Sequence, residues 1–314
     1  MKKDTVSIKP GKQSQKARAF SENLAKNCFL FAAIIAILAV FSIMLYMFLK
    51  GTPAFFKVGV SEILFETEWR PTAKVEPGFG ILYIILTSLV GTTFAIILGV
   101  PLGILTAVFL TEVAPKKLAA LVQPAVELLA AIPSVIYGLL GIMILTPWMY
   151  KLEKHFFEGS TTHQFTGGAN LISAVIVLAI MILPTVVNMS VSAIRAVDDK
   201  LKSASLALGA TKIQTIFKVI LPAAKSGIMT GIVLGIGRAI GEAMAISLVS
   251  GSSVNLPLPF NSVRFLTTAI VSEMSYADGV HRQVLFTIGL VLFVFIMVIN
   301  LVLTKMIRGR EKNA

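Results

Sequence analysis

Six long apolar runs constrain this chain more than any other feature of its sequence. They lie at about 27–49, 80–110, 119–149, 169–194, 226–250 and 284–306. A helix rises about 1.5 Å per residue, so roughly 20 apolar residues cross the roughly 30 Å hydrocarbon core of a bilayer. Hydrophobic residues make up 56% of the chain and charged residues only 14%, unlike typical soluble domains. The sequence therefore predicts an all-α membrane protein with about six transmembrane helices.

The distribution of lysine and arginine sets the expected orientation, because these residues resist translocation. With the amino terminus inside, the inner segments hold 19 of the 28 basic residues and the outer segments hold eight. Both termini are therefore expected in the cytoplasm, and the net charge of +12 is interpreted as a topology signal instead of a nucleic-acid surface. Residues 1–26 are predicted to be a basic cytoplasmic tail. Residues 27–314 are predicted to be the transmembrane domain, with its first helix at 27–49 and its core at 80–306.

Disulfide, metal and nucleotide chemistry are not expected of this chain. Cys28 is the single cysteine, so no disulfide or thiolate cluster can form within the chain. His155, His163 and His281 lack the paired spacing of metal ligands and are expected to be solvated loop residues. The sequence has no Gly-x-x-x-x-Gly-Lys-Ser/Thr phosphate-binding loop. The chain is therefore expected to bind no cofactor, and any ATP and Mg²⁺ would belong to a partner subunit.

The connection at 195–225 is charged and amphipathic, and it is predicted to form a short helix, a turn and a second short helix. Its informative residues are Ser203, Ala204, Ser205, Gly209, Val219, Leu221 and Pro222. In order and spacing they resemble the coupling loop of ABC importer permeases, which reads Glu-Ala-Ala, three residues, Gly, nine residues, Ile, any residue, Leu-Pro. The resemblance implies that this loop seats in a separate cytoplasmic ATPase. Ser203 replaces the usual Glu and Ser205 the usual Ala, so the coupling contact is expected to differ in detail.

Two charged residues, Arg238 and Glu242, interrupt the fifth apolar run. Four residues apart in one helix, they are predicted to share a face and to lie close enough to pair. A charge at membrane depth is costly unless it faces protein or water. A guanidinium presents a planar fork of donors that suits phosphate oxygens. Two roles stay open for Arg238, which are contact with a transported anion and a structural ion pair with Glu242.

Two short runs narrow the family. Residues 237–242, Gly-Arg-Ala-Ile-Gly-Glu, resemble the Gly-Arg-Ala-Leu-Gly-Glu signature of PstC phosphate permeases, and residues 132–138, Ile-Pro-Ser-Val-Ile-Tyr-Gly, resemble another segment typical of phosphate permeases. The resemblance implies the type I (MetI-like) ABC importer permease fold and transport of inorganic phosphate across the inner membrane. It further implies a PstA-like permease as heterodimer partner, a PstB-like ATPase dimer, and a PstS-like phosphate-binding protein that is periplasmic or a lipoprotein.

Three alternatives remain at this point. An importer of another anion or solute, such as sulfate, molybdate or an amino acid, would carry the same coupling loop. A membrane-embedded enzyme would need a nucleophile with a base, or a metal cluster, at membrane depth. The sequence places only Arg238, Glu242 and Glu127 there, so the chain is expected not to be an enzyme. A passive channel would not require the coupling loop.

Overall fold

A computed structural model describes residues 12–311 of the chain, and most of these residues are helical. The helices of the first half are α1 (Lys12–Lys57), α2 (Val60–Phe65), α3 (Leu82–Val108), α4 (Lys116–Ala131), α5 (Ser134–Leu140), α6 (Thr146–Phe156) and α7 (Leu171–Arg195). Those of the second half are α8 (Asp199–Ala207), α9 (Lys212–Thr215), α10 (Leu221–Ala223), α11 (Lys225–Gly241), α12 (Met244–Val249), α13 (Leu266–Glu273) and α14 (Gly279–Glu311). One antiparallel hairpin of two-residue strands, β1 (Trp69–Arg70) and β2 (Gly78–Phe79), precedes α3. The predicted all-α class is confirmed.

Five helical stretches within residues 12–311 are long and apolar enough to cross a membrane. They are Phe20–Lys57, Leu82–Val113, Ser134–Phe156, Leu171–Arg195 and Gly279–Val302. A sixth span results when Lys212–Ala223 and Lys225–Gly241, which meet at a bend of 70°, are taken together. The structure thus agrees with the prediction of about six spans.

Two of the predicted spans are divided in the structure. The sequence predicts a span over 119–149, with breaks indicated at Pro101, Pro124 and Pro133 in the second and third runs. Only Pro133 marks a break in the structure, where α4 ends at Ala131 and α5 begins at Ser134, while Pro101 and Pro124 lie inside helices. Pro133 explains the break, because proline lacks an amide hydrogen and disfavours helical backbone at the residue before it. The preceding Ile132 is extended, with ψ of 127°. The fifth run is predicted as one helix over 226–250, yet α11 ends at Gly241 and a new short helix follows.

The chain divides into two units, 1–50 and 51–314. In the first unit, helix α1 is continuous from Lys12, so the predicted boundary at residue 26 is not a break in secondary structure. The first eleven residues of the predicted tail lie outside the described residues. Between Phe20 and Lys50 no side chain is buried, and the apolar ones suit contact with lipid.

Helix α7 lies at the centre of the second unit. In its most apolar stretch 67% of the residues are buried, a larger share than in any other spanning helix of the described chain. Helix α3 packs against it at Gly103, where an added Cβ would lie 2.8 Å from Val186 Cγ1. Helix α11 packs against it at Gly231, where an added Cβ would lie 2.7 Å from Met189 Cβ. Small residues thus let neighbouring spans approach closely, as is common in membranes.

The connecting segments of the second unit gather at two ends. One end, called here the hairpin end, holds 59–80, 157–170 and 250–278, since Trp69 bonds to Glu273 and the Leu171 amide bonds to the Asn261 carbonyl. The other, called here the loop end, holds 109–118 and 195–225, which Lys202 joins through its ion pair with Glu112. This grouping agrees with the two sets of loops predicted from charge. That the loop end faces the cytoplasm stays a prediction.

Candidate functional site

The break after α11 places Glu242 between three elements. Its backbone is extended, with φ of −72° and ψ of 131°. Its carboxylate Oε1 accepts a hydrogen bond from the Ala245 amide at 2.9 Å, which satisfies one of the free amides at the start of α12. Its carbonyl accepts a hydrogen bond from the Thr267 hydroxyl of α13 at 2.6 Å. Glu242 is therefore held at the junction of α11, α12 and α13.

Arg238 lies one turn before the break, in the last turn of α11, and is half-buried. Its Nη1 donates to Thr185 Oγ1 of α7 at 3.4 Å, a long hydrogen bond. Its charge also lies within electrostatic reach of Tyr137 in α5. Among the described residues no ion pair joins Arg238 to Glu242. The predicted pairing is not formed, because the helix that would place both side chains on one face ends at Gly241.

An open surface lies beside Arg238. Gly237 and Gly241 are exposed, and a Cβ added at either would meet no atom within 4 Å. Gly231 and Gly235 of the same helix differ, since both face α7 closely. The surface next to the guanidinium is thus free of side-chain bulk.

The first run that resembles phosphate permeases, 132–138, packs against α12, the helix that follows the second run, 237–242. A Cβ added at Gly138 would lie 2.9 Å from Ala245 Cα and 2.7 Å from Leu248 Cδ1. Glycine at 138 therefore allows α5 to approach the helix that follows Glu242. Tyr137 also stabilises the turn at Pro133, since its hydroxyl donates to the Leu129 carbonyl at 2.6 Å. Segments about one hundred residues apart in sequence meet around the break.

The loop at 195–225 has the predicted form of a short helix, a turn and a second short helix. Gly209 follows α8 with φ of +84°, a left-handed conformation that glycine adopts without strain. Thr211 then caps α9 by accepting from the Gln214 amide at 3.2 Å, while the Gln214 side chain accepts from the Thr211 amide at 2.9 Å. The Thr-x-x-Gln spacing is the signal that would have predicted this capping box.

The residues that carry the coupling-loop resemblance differ in burial. In α8, Ser203 donates its hydroxyl to the Asp199 carbonyl at 3.0 Å, and Ser205 bonds to Thr215 of α9 at 2.9 Å. Ala204 is exposed, as is Pro222, whereas Val219 and Leu221 are half-buried. The second limb instead buries Thr215, Ile216 and Ile220, which sequence reasoning did not single out.

The loop end carries large apolar side chains without cover in this chain. Leu208 is 89% exposed, Ile213 is 70% exposed and Phe217 is 53% exposed. They follow or flank the turn at Gly209, and α8 itself buries no residue. A patch of this kind on a charged segment is typical of a surface that contacts another protein.

Two histidines expected to be solvated are instead buried at the hairpin end. His281 is 7% exposed and its Nε2 donates to Glu273 Oε2 at 2.7 Å. Trp69 Nε1 donates to the same carboxylate at 3.2 Å, and Arg264 pairs with it. Burial first, and then the Glu273 charge, raises the pKa of nearby Tyr276, while Arg264 lowers it. The side chains of His281, Trp69 and Arg264 thus meet at one buried carboxylate, that of Glu273.

The second such site is built on Glu153 of α6, which is fully buried. It accepts from His163 Nε2 at 2.9 Å and from the Thr166 amide at 2.8 Å. The His163 ring stacks on Phe157 with centroids 3.7 Å apart. Only His155, which is exposed, matches the expectation of a solvated histidine.

A family model and two relatives match most of this chain in sequence. A family model described as "Binding-protein-dependent transport system inner membrane component" matches residues 99–311. The probable ABC transporter permease protein YqgH of Bacillus subtilis (strain 168) is 39% identical over 277 residues, covering 85% of this chain and 86% of the relative. The phosphate transport system permease protein PstC of Pasteurella multocida (strain Pm70) is 33% identical over 293 residues, covering 90% of each.

Solved structures agree on the fold. The crystal structure of a bacterial alginate ABC transporter in complex with alginate pentasaccharide-bound periplasmic protein has a TM-score of 0.63 at 19% identity, covering 92% of this chain and 96% of that one. An inward-facing structure of the MetNI methionine ABC transporter has a TM-score of 0.51 at 21% identity, covering 73% of this chain and 94% of that one. At these identities the likeness establishes the fold alone.

Fold, break and loop define a type I ABC importer permease of the MetI-like kind. The chain belongs to the family of binding-protein-dependent transport system inner membrane components. It is a multi-pass protein of the inner membrane and works with a binding protein and an ATPase. Because the ATPase is a separate subunit, this chain is not itself an enzyme.

Proposed function

We propose that this chain is the PstC-like subunit through which an ATP-driven importer carries inorganic phosphate across the inner membrane. The observation that carries the proposal is that the run at 132–138 packs against α12, the helix held by Glu242 of the other run, with Tyr137 within electrostatic reach of Arg238. Identity of 33% to a PstC protein over 90% of the chain supports it. Importers of sulfate, molybdate or amino acids share the fold, but no feature of this site favours them.

Arg238 is proposed to contact the permeating anion. Its one hydrogen-bond partner in the described chain is the neutral hydroxyl of Thr185, at 3.4 Å, so most of its donors remain available. A guanidinium in such a position attracts an anion bearing several acceptor oxygens. Glu242 is proposed to limit this attraction while its own charge is held by the Ala245 amide. Weak binding at this point suits passage, and high affinity would belong to the external binding protein.

The partners are proposed from the same family resemblance. A PstA-like permease would complete the pathway across the open surface at Gly237 and Gly241. A PstB-like ATPase dimer, which would hold the ATP and Mg²⁺, would cover Leu208 and Ile213 at the loop end. A PstS-like protein would deliver phosphate to the hairpin end. In this arrangement both chain termini lie in the cytoplasm. The chain itself binds no cofactor.

Uptake by the purified complex in proteoliposomes tests the proposal. ATP-dependent accumulation of labelled phosphate is expected, with little accumulation of sulfate or molybdate. Arg238→Gln should assemble and lose uptake, whereas the matched control Arg195→Gln should retain it, because Arg195 also bonds to a neutral side chain but lies at the loop end. Wild-type uptake by a well-assembled Arg238→Gln protein would show that this arginine does not carry the anion.

The charge-swapped double variant separates contact with the anion from a structural pair. Arg238→Glu combined with Glu242→Arg preserves both charges but places a carboxylate where the guanidinium lies. If Arg238 meets phosphate, this variant should assemble and fail to transport. Restored transport would favour a purely structural pair, formed in some other state of the cycle.

A further inference from the structure

Helix α8 lies on the surface of the loop end and is held by polar contacts of its side chains. None of its residues is buried. Asp198 caps it by accepting from the Lys200 amide at 2.9 Å, and Ser205 joins it to Thr215 at 2.9 Å. Both contacts lie within the loop at 195–225. They order the loop but do not connect it to another spanning helix.

The ion pair between Lys202 and Glu112 connects α8 to a spanning segment. Lys202 lies in the middle of α8, and Glu112 lies in the π-helical turn Phe109–Val113 that ends the first core span, α3. The Glu112 side chain is 9% exposed and that of Lys202 is 34% exposed. An ion pair this sheltered from water is held more firmly than a surface pair.

The neighbouring Ser203 makes this pair more important. In the coupling-loop pattern this position usually holds Glu, but the Ser203 hydroxyl bonds back to Asp199 in its own helix. It therefore contributes nothing that reaches beyond α8 within the described chain. Lys202, the residue before it, does reach a spanning segment, through its ion pair with Glu112.

A cavity of about 280 Å³ adjoins the pair and gives it room to move. Thr111 and Glu112 line it from the end of α3, Arg195 lines it from α7, and Asp198 and Lys202 line it from the start of the loop. The pair thus crosses a space between the end of α3, the end of α7 and the loop. Elsewhere these three segments pack together through Ile216 and Ile220. A change in the position of α8 would therefore displace Glu112 at the end of α3.

We infer that the Lys202–Glu112 pair transmits movement between α8 and the end of α3, and so sets how tightly ATP hydrolysis is coupled to uptake. Both residues are positioning residues, because neither reaches the anion site around Arg238. The inference rests on the proposed function, in which α8 contacts the ATPase. It adds a specific mechanical link from that contact to a spanning helix.

Charge reversal of the pair in the reconstituted full complex tests the inference. The variants are Glu112→Lys, Lys202→Glu, their double combination, the milder Lys202→Gln and the conservative Lys202→Arg. Lys117→Glu is the matched control, since Lys117 is an exposed lysine at the same loop end but lies in α4, outside α8. Phosphate uptake and ATP hydrolysis are measured in the same vesicles, and subunit composition is checked by co-purification.

Lys202→Gln and both single reversals should hydrolyse ATP while phosphate moved per ATP falls by about 3- to 30-fold, the range of coupling changes seen for residues between two sites. The double reversal and Lys202→Arg should restore the ratio, and Lys117→Glu should leave it unchanged. A ratio unchanged by Lys202→Gln would overturn the inference. So would a double reversal that assembles but stays uncoupled, because the two groups would then act separately. Absence of phosphate uptake by the wild-type complex would instead refute the proposed function.

Discussion

Replacing Glu273 with Gln should destabilise the hairpin end by about 3–5 kcal/mol, because it leaves a sheltered arginine without its counter-charge. The Glu273 side chain is 6% exposed and that of Arg264 is 16% exposed, so water can replace little of the lost interaction. A glutamine has one acceptor oxygen, whereas the carboxylate accepts from Arg264, His281 and Trp69. At least one of these donors would lose its partner.

The pair Arg70–Glu68 offers a matched control in the same region. Its side chains are 64% and 57% exposed, so Glu68→Gln should cost less than about 1 kcal/mol. Unfolding of both variants by denaturant in one detergent, followed by tryptophan fluorescence, measures the difference, since Trp69 lies at the site. A loss for Glu273→Gln no larger than that for Glu68→Gln would refute the reasoning.

Three further predictions concern glycines and topology. Gly231→Ala should lower stability by about 1–3 kcal/mol through overpacking, because its Cβ would lie 2.7 Å from Met189 Cβ, while Gly237→Ala should not; thermal unfolding compares the two. Gly209→Val and Gly159→Val should each lower stability by about 1–2 kcal/mol, because valine is strained in a left-handed backbone. The φ angles at these positions are +84° and +81°. Only the first should lose co-purification with the ATPase, and an equal loss in both would contradict the coupling role. Reporter enzymes fused at either chain end should be cytoplasmic and one at Gly159 external; opposite sides for the two ends would exclude the predicted topology.

Apolar length and loop charge were sufficient to predict the class of fold, because a span needs about 20 apolar residues whatever its neighbours are. Apolar length alone does not show the helix breaks at Pro133 and after Gly241, since the apolar run continues through both. Pro133 carried a readable signal in its missing amide. Gly241 did not, because the glycine that ends α11 looks in sequence like the other glycines of that helix.

The burial of His163 and His281 was also beyond prediction from spacing. Each pairs with a carboxylate that lies eight to ten residues away, at a distance set by how the intervening segment folds back. Loop composition describes an average environment, and it misses a single buried acid that gathers several donors. The capping box at Thr211 shows the contrary case, since both of its partners lie within one helical turn.

The break at Gly241 changes what the charged residues of the fifth run can do. In a continuous helix Arg238 and Glu242 would neutralise each other, and an anion would have to compete with the carboxylate for the guanidinium. In the structure Glu242 turns to the Ala245 amide and the Thr267 hydroxyl, so a neutral threonine is left beside Arg238. The same break therefore supplies Glu242 with partners at its new position and leaves a positive charge available at membrane depth.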